Sequence, residues 1–248
     1  MIFAIAFQKG GTGKTTTAHA IASGATIRGK KALAIDLDPQ GNLSFSMGAN
    51  PAAPGAYEII TGRAQVADAI QHTEQGDIIP AGLALSAIDA EISGRPGRDF
   101  LLQAALKPVS SLYDIIVIDT PPALGTLLIN ALTAAQRAVF TMTADIYSLQ
   151  GLYQLSETVQ QVKDYCNPAL QVAGVLLTRH NKRTSLARSI TAGTENALKE
   201  MGLSMFKAAI REGIAAKEAA AAQQSIFKYA PNSNPARDYS AFLDELSI

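Results

Sequence analysis

The sequence predicts a single α/β domain over residues 1–248, with a mainly parallel central sheet flanked by helices. Short, continuously apolar segments recur along the chain, as is typical of strands that are covered on both faces. Helical patterns separate these segments, which is the alternation expected of a parallel sheet. No linker, repeat or low-complexity tract divides the chain into smaller units.

The first predicted strand spans residues 2–7, and the glycine-rich loop that follows leads into a helix over 14–28 that ends at Gly29. A second strand covers 32–38. Residues 47–110 are less regular, with short helices at "AYEIITG" and "QVADAIQ" and a short strand at "GDIIPAG". A third buried strand lies within 113–122, where two prolines prevent it from continuing.

The second half of the chain continues the same alternation. The predicted strands are 138–144 and 170–178. The predicted helices are 124–136, 148–165, 184–201, 213–224 and 235–246. The alanine-rich segment "AAKEAAAAQQ" is interpreted as a good helix former.

Composition excludes several classes of protein. The 21 basic and 21 acidic residues balance, so net charge predicts no polyanionic partner, although a local basic patch is compatible with it. The one cysteine, Cys166, forms neither an intrachain disulfide nor a multi-cysteine metal site, and we interpret it as a structural thiol. No signal-peptide pattern or apolar segment of about 20 residues is present. We therefore expect a cytoplasmic protein with no membrane partner.

The segment "GGTGKTT" lies between a predicted buried strand and a predicted helix, the context that a phosphate-binding loop requires. Small residues let backbone N–H groups converge on phosphates, and the helix N-terminus adds its dipole. The predicted cofactors are ATP and Mg²⁺, with Lys14 at the β- and γ-phosphates, Thr15 at the metal and Thr16 at the α-phosphate. The residues predicted to bind the cofactor are Gly10, Gly11, Thr12, Gly13, Lys14, Thr15 and Thr16.

A second lysine distinguishes this loop from the common G-x-x-x-x-G-K-[ST] pattern. Gln8 stands where that pattern has its first glycine, and Lys9 precedes Gly10. Lys9 has two interpretations, a solvated loop lysine or a second group that acts on phosphate.

Carboxylates follow two of the predicted strands. Asp36 and Asp38 end the second strand, where alternation predicts that both lie on one side, facing the ligand crevice. A carboxylate there can activate water or hold Mg²⁺, although Asp36 can also cap a turn. Asp119 ends a buried strand, the position of a Walker B aspartate that acts on the Mg²⁺ shell. The predicted metal-site residues are therefore Thr15, Asp38 and Asp119.

The segments "KGGTGKTTTAHAIA", "LAIDLDPQGNLS", "YDIIVIDTPPALG" and "YSLQGLYQL" resemble the ParA/MinD superfamily of deviant Walker A ATPases, and ParA-type partition ATPases in particular. The resemblance continues through "VLLTRHNKRTSLAR" to "SIFKYAPNSNPARDY". It departs at "IREGI", where the family often reads I-P-R-N-V near the adenine, so base contacts do not transfer to this chain. The strand before "ADIYSLQGL" also lacks a frequent proline.

The resemblance implies specific catalytic roles for three residues. Lys9 matches the signature lysine that contacts the partner subunit's nucleotide across an ATP-sandwiched homodimer. Lys14 matches the loop lysine, and Asp38 matches the aspartate that activates the hydrolytic water. The family also implies ATP hydrolysis that is weak without a partner, nonspecific DNA binding, and release from DNA by a ParB-like centromere-binding or adaptor protein. A nucleoid-associated location in the cytoplasm follows, with a role in plasmid or chromosome partition.

Basic side chains are dense in the last third of the chain. A dimer would double this patch and let it contact phosphates on both sides of its axis, while a solvated mixed-charge face is the alternative. The predicted DNA-binding residues are Arg179, Lys182, Arg183, Arg188, Lys199, Lys207, Arg211, Lys217 and Lys228.

Other functions remain as alternatives. A positioning ATPase for a protein cargo on the nucleoid keeps the same dimer, and a metabolic ATP-dependent ligase shares the loop. The ending "YSAFLDELSI" is acidic and does not suit a membrane-binding amphipathic helix. A single cysteine excludes an iron–sulfur cluster held by paired cysteines from each subunit. No histidine has metal-ligand spacing.

Overall fold

The computed structural model describes residues 1–180 and 185–248, without the side chains of 146–147 and 185–192. Within these residues one eight-stranded sheet confirms the predicted α/β fold. The strands are β1 (Ile2–Ala6), β2 (Ala32–Asp36), β3 (Gln71–Thr73), β4 (Gly76–Ile79), β5 (Ile115–Asp119), β6 (Arg137–Thr143), β7 (Gln171–His180) and β8 (Met205–Arg211). Their order is β3-β4-β2-β5-β1-β6-β7-β8, and every neighbouring pair is parallel except β3 with β4.

Helices cover both faces of the sheet, and the long predicted helices are present with ends that shift by a few residues. They are α1 (Lys14–Ile27), α2 (Asn42–Ser46), α3 (Ala56–Thr61), α4 (Val66–Ala69), α5 (Ile88–Ile92), α6 (Leu101–Leu106), α7 (Thr126–Ala134), α8 (Ile146–Tyr165), α9 (Ser185–Glu200), α10 (Ala215–Ala221), α11 (Ile226–Tyr229) and α12 (Asn234–Glu245). None of the described helices combines the length and apolar character needed to cross a membrane.

Strand β1 shows why the central strands are apolar throughout. Phe3 and Ile5 belong to a core with α1 and α12, whereas Ala4 and Ala6 belong to a second core with α7 and α8 on the other face. Because successive side chains point to opposite faces, a strand between two helical layers needs apolar residues at every position. The central strands thereby become a rigid base for the loops at their ends.

The structure differs from the sequence-based assignment at three places. No element was predicted for residues 202–212, where β8 forms the sheet edge with side chains that are only partly covered and alternate imperfectly. The helix predicted to reach Gln71 ends at Ala69, and the polar segment Gln71–Thr73 pairs as the opposite, antiparallel edge. β2 ends at Asp36 rather than at residue 38, so Asp36 and Asp38 do not share a strand face.

Candidate functional site

The carboxyl ends of three adjacent central strands form the candidate site. β5 lies between β2 and β1, and the register pairs Asp36 with Asp119 and Ile5 with Asp119. The glycine-rich loop leaves β1 at this edge and leads directly into α1. The sheet therefore brings the loop and the two strand-end carboxylates together, as expected for strands that end level with one another.

The loop backbone bends through left-handed conformations at two glycines. Gly11 has φ 76° and Gly13 has φ 81°, which are values that side-chain-bearing residues rarely adopt. Gly13 precedes α1 and supplies no side-chain cap, so the first N–H groups of the helix are available to an anion. This arrangement is the backbone cradle that phosphate binding requires.

The Thr12 side chain anchors the loop to the neighbouring strands. Its hydroxyl lies 3.2 Å from that of Thr141, and its carbonyl oxygen accepts a hydrogen bond from the Thr178 hydroxyl at 2.7 Å. The Thr178 hydroxyl also contacts the carbonyl oxygen of Met142 at 3.1 Å. Thr12 therefore contributes to the predicted cofactor site through its backbone, because its side chain is buried within the protein.

The two loop lysines point in different directions. Lys14 is buried, and its Nζ donates to the carbonyl oxygen of Lys9 at 3.0 Å. Burial lowers the Lys14 pKa, while the charges of Asp119 and Asp38 oppose that shift. Lys9 instead extends outward, with 45% of its side chain exposed, and forms an ion pair with Asp145 at 3.0 Å. Lys14 thus lines the cavity, whereas Lys9 lies at the surface.

Asp145 is a contact of the loop that the sequence did not suggest. It precedes α8 and caps it by accepting from the Ser148 N–H at 3.1 Å. Its other oxygen accepts from Lys9 and from the hydroxyls of Thr143 and Ser148. The spacing of Asp145 and Ser148 before a helix is a capping signal, but nothing local indicates a contact with a residue 136 positions away.

Both carboxylate oxygens of Asp36 accept hydrogen bonds from the turn that follows β2, in agreement with the alternative interpretation that Asp36 caps a turn. It accepts from the backbone N–H and the hydroxyl of Ser44, at 2.8 and 2.7 Å, and from the Asp38 N–H at 3.1 Å. Burial raises its pKa to about 6, against the lowering effect of the Ser44 donors. Asp38 is half-buried at the cavity wall, where its carboxylate accepts from the Gln40 N–H at 3.0 Å.

Asp119 has the opposite environment. It is fully buried, and neither carboxylate oxygen has a hydrogen-bond partner within the described part of the chain. Burial, followed by the charge of Asp36, raises its pKa well above the usual range, and the nearby Thr15 hydroxyl and Lys14 charge offset this only in part. A buried carboxylate without donors is destabilising unless a cation compensates it. The oxygen-rich set of Thr15, Asp38 and Asp119 fits a hard cation such as Mg²⁺.

A cavity of about 720 Å³ extends from the loop. Gly10, Gly11, Gly13, Lys14, Thr15, Thr16 and Asp38, all predicted site residues, line it. Beyond the loop it continues between α1, α10 and the start of α12, where the walls are small and apolar. This part is lined by Ala20, Ala216, Ala219, Ala220, Ile226 and Pro235. The volume and lining suit a phosphate group at one end and a flat apolar group at the other.

Three predicted DNA-binding residues, Arg179, Arg211 and Lys217, line this cavity, and their role in DNA binding stays a prediction. Arg179, with φ 51°, forms an ion pair with Glu212 at 2.8 Å. Arg211 forms one with Asp238 at 2.6 Å, and Asp238 also accepts from the Arg211 N–H. The resemblance at "IREGI" already indicated that Arg211 lies near the nucleotide, whereas nothing in the sequence indicated that Arg179 lines the cavity, because its partner Glu212 is 33 residues away.

The other predicted DNA-binding residues have varied surroundings, and their role stays a prediction. Lys228 forms an ion pair with Glu74 at 2.8 Å. Lys199 and Lys207 are exposed. Lys182, Arg183 and the side chain of Arg188 lie outside the described residues.

Comparisons with known proteins agree with this geometry. A family model described as an AAA domain matches residues 1–172. The sporulation initiation inhibitor protein Soj of Bacillus subtilis is 36% identical over 250 residues, covering 99% of this chain and 98% of Soj. The chromosome partitioning protein ParA of Caulobacter vibrioides is 33% identical over 234 residues, covering 92% of this chain and 86% of that protein.

A solved structure extends the comparison to bound ligands. Cobyrinic acid a,c-diamide synthase from Mycobacterium smegmatis, crystallised with an ATP analog and magnesium, has a TM-score of 0.86 and is 30% identical. The match covers 99% of this chain and 93% of that chain. Together with the deviant loop and the strand-end carboxylates, these matches confirm the resemblance noted in the sequence. The chain belongs to the ParA-type partition ATPases of the ParA/MinD superfamily.

Proposed function

We propose that this chain is an ATP-hydrolysing switch that dimerises on ATP, binds nonspecific DNA and drives plasmid or chromosome partition with a ParB-like partner. The observation that carries the proposal is the opposed direction of the two loop lysines. Lys14 folds into the cavity, whereas Lys9 lies at the surface beside Asp145. A nucleotide in the same subunit needs one lysine, and an outward lysine on the same loop suits a nucleotide in a second subunit.

The loop supplies the binding groups for ATP and Mg²⁺. The N–H groups of the loop and of the first turn of α1 would bind the phosphates, and Lys14 would neutralise charge on the β- and γ-phosphates. Thr15, Asp38 and Asp119 would hold Mg²⁺, which when bound neutralises the charge that develops on the phosphates. The partnerless carboxylate of Asp119 supports this assignment, because the cation would compensate its buried charge.

Asp38 is the residue we assign to the hydrolytic water. It lies at the cavity wall and is only half-buried, so water reaches it, and its carboxylate can accept a proton or orient the water for attack in line with the leaving group. Hydrolysis is slow until a partner completes the site. A slow basal rate suits a switch, because the ATP-bound dimer then lasts long enough to act.

Dimerisation explains how ATP controls DNA binding. Two copies double the number of exposed lysines available to phosphates. Because such binding releases counterions, its affinity falls steeply as the salt concentration rises. Lys199 and Lys207 are exposed, do not line the cavity and suit this role. Hydrolysis, stimulated by a ParB-like centromere-binding or adaptor protein, separates the subunits and releases the DNA. The protein then cycles on and off the nucleoid within the cytoplasm.

Light scattering with ADP and with a nonhydrolysable ATP analog tests the dimer. Wild type should be monomeric with ADP and dimeric with the analog, and Lys9→Ala should bind the analog but remain a monomer. Lys228→Ala, which removes an exposed lysine from an ion pair far along the chain, is the matched control and should dimerise. A Lys9→Ala protein that dimerises normally would overturn the proposed role of Lys9.

A salt titration of DNA binding tests the second half of the proposal. With the analog, affinity should fall steeply between about 50 and 200 mM salt, and it should be much weaker with ADP. Substituting one phosphate-contacting lysine should reduce the slope of log affinity against log salt concentration by about one. DNA affinity that depends on neither the nucleotide nor the salt concentration would contradict the proposed switch.

Deletion of this protein in its host distinguishes the alternative functions. Loss of plasmid or chromosome inheritance on deletion supports partition, whereas a mislocalised protein assembly with normal inheritance supports a positioning ATPase. ATP turnover that requires a small-molecule acceptor and ignores DNA supports a metabolic ligase instead.

A further inference from the structure

The end of β8 and the two residues after it form one wall of the cavity beyond the phosphate loop. This 210–213 segment consists of Ile210, Arg211, Glu212 and Gly213, and all four line the cavity. When the phosphates of a nucleotide lie at the glycine-rich loop, the rest of the cavity is the space open to its nucleoside. The shape of the 210–213 segment therefore affects how well a nucleoside fits.

One carboxylate on α12 holds Arg211 by both its side chain and its backbone. Asp238 accepts from the Arg211 Nη2 at 2.6 Å, from its Nε at 2.9 Å and from its backbone N–H at 2.9 Å. Two guanidinium donors on one carboxylate form a bidentate pair, which fixes direction better than a single hydrogen bond does. Because the backbone N–H also takes part, Asp238 fixes the main chain at residue 211 as well as the side chain.

Gly213 is held against the same helix by close packing. A Cβ at this position would lie 2.8 Å from the Cγ of Pro235 and 3.2 Å from its Cδ, so only glycine lets the main chain approach this closely. The two departures of "IREGI" from I-P-R-N-V therefore have a physical explanation. An ion pair stands at the position of the proline, and a close contact leaves no room for an asparagine side chain.

The helix that holds the segment is itself anchored beside the phosphate loop. The hydroxyl of Tyr239, the residue after Asp238, lies 3.2 Å from the hydroxyl of Thr17, and both side chains are buried. Thr17 lies on α1, three residues after Lys14. The first turns of α12 therefore connect the phosphate end of the cavity to the 210–213 segment.

We propose that Arg211 is a positioning residue for the nucleoside, because its pairing with Asp238 holds the 210–213 segment in the shape that the nucleoside binds. This inference rests on the proposed nucleotide binding at the loop. Arg211 acts through the main chain of the segment, and its charge is directed at Asp238. When the segment is loosened, only a fraction of the molecules is competent to bind, and the apparent dissociation constant rises by the inverse of that fraction.

Calorimetric titrations with ATP and with tripolyphosphate, both with Mg²⁺, test the assignment, because tripolyphosphate has no nucleoside. Asp238→Asn should weaken ATP binding by about 3- to 10-fold, as expected when about a third to a tenth of the molecules remain competent. Tripolyphosphate binding should change by less than about twofold. Asp244→Asn is the matched control, since it removes an exposed carboxylate that pairs with Arg28 on the same helix, and it should leave both affinities unchanged.

A double-mutant cycle separates positioning from direct contact with the ligand. Arg211→Ala should match Asp238→Asn, and the double variant should be no weaker than either single variant, because all three lose the same pair. If Arg211 instead touched the nucleotide, Asp238→Asn would free its guanidinium and the two effects would add.

Amide hydrogen exchange of the nucleotide-free protein gives a second readout, which loss of a ligand contact alone would not change. Peptides that cover 210–214 should exchange faster in Asp238→Asn than in wild type, while those of β1 and β5 stay protected and show that the variant is folded. Unchanged ATP affinity in Asp238→Asn, an equal loss with tripolyphosphate, additive effects or unchanged exchange overturns the inference alone. A wild type that binds neither ATP nor tripolyphosphate overturns the proposed function as well.

Discussion

The ion pair between Lys9 and Asp145 allows a quantitative test of the dimer proposal. If Lys9 must leave Asp145 to reach the partner's nucleotide, then the ion pair opposes dimerisation. Asp145→Asn removes the charge while keeping an oxygen that can accept from the Ser148 N–H, so the cap of α8 survives. The hydroxyls of Thr143 and Ser148 can turn to accept from the new amide, but an ammonium group cannot. The substitution therefore acts selectively on Lys9.

The size of the effect follows from the exposure of the pair. The two side chains are 45% and 32% exposed, so the pair contributes about 0.2–1 kcal/mol, as surface ion pairs do. A dimer breaks two such pairs, about 0.4–2 kcal/mol in all. The dissociation constant of the dimer should therefore fall by about 2- to 30-fold in Asp145→Asn.

Sedimentation velocity with a nonhydrolysable ATP analog and Mg²⁺ measures this constant. Asp164→Asn is the matched control, because Asp164 is an exposed aspartate on the same helix that accepts from Gln160. It should leave the constant unchanged. In a Lys9→Ala background, Asp145→Asn should also have no effect. An unchanged or weaker dimer in Asp145→Asn alone refutes the reasoning.

The same substitution has a pH signature in the free protein. Burial opposes ionisation of Asp145, but donors from Thr143, Lys9 and Ser148 outweigh it and hold its pKa below the ordinary 3.8. A lowered folded pKa stabilises the protein above the unfolded pKa and ceases to do so as pH falls through the folded value. The difference in unfolding free energy between wild type and Asp145→Asn should therefore be constant above about pH 5 and shrink below pH 4.

Three further predictions concern hydrolysis, the metal site and packing. Asp38→Ala should retain the ATP-dependent dimer but lower phosphate release by about 100-fold or more, and normal turnover contradicts the assignment of Asp38 to the water. Asp119→Asn should weaken Mg²⁺-dependent ATP binding, yet stabilise the nucleotide-free protein by about 1–3 kcal/mol at pH 8, because burial and the charge of Asp36 disfavour the ionised carboxylate more than Thr15 and Lys14 favour it. Since the folded pKa of Asp119 is raised, wild type gains stability as pH falls. The excess unfolding free energy of Asp119→Asn over wild type should therefore be smaller at pH 5 than at pH 8. Gly24→Ala should lower the free energy of unfolding in urea by about 1–3 kcal/mol, because a Cβ there would lie 2.3 Å from the Leu243 Cδ1. An unchanged urea midpoint would contradict this and would show that α12 shifts to make room for the methyl group.

The central strands could be predicted because burial on both faces makes them apolar at every position. β1 and β5 are clear examples, since each is packed between two helical layers. β8 could not be predicted in the same way, because an edge strand with partly exposed residues lacks both a continuous apolar run and a clean alternation. β3 is still less visible, as three polar or half-exposed residues become a strand only by pairing with β4.

The sequence by itself determined the local chemistry of the loop. A run of small residues, a lysine and a threonine between a strand and a helix specifies a phosphate cradle, because backbone bends and helix N-termini depend on neighbouring residues. The presence of a second lysine at position 9 was equally visible.

Only the tertiary structure decided what those side chains contact. Lys9 meets Asp145 across 136 residues, and His19 meets Gln75 across 56. The donors that occupy Asp36 and the lack of donors at Asp119 depend likewise on how strands and loops assemble. Hydrogen bonding and burial act over a few ångströms of space, whatever the separation along the chain. Chemical identity is therefore readable from the sequence, whereas protonation, pairing and direction appear only in the fold.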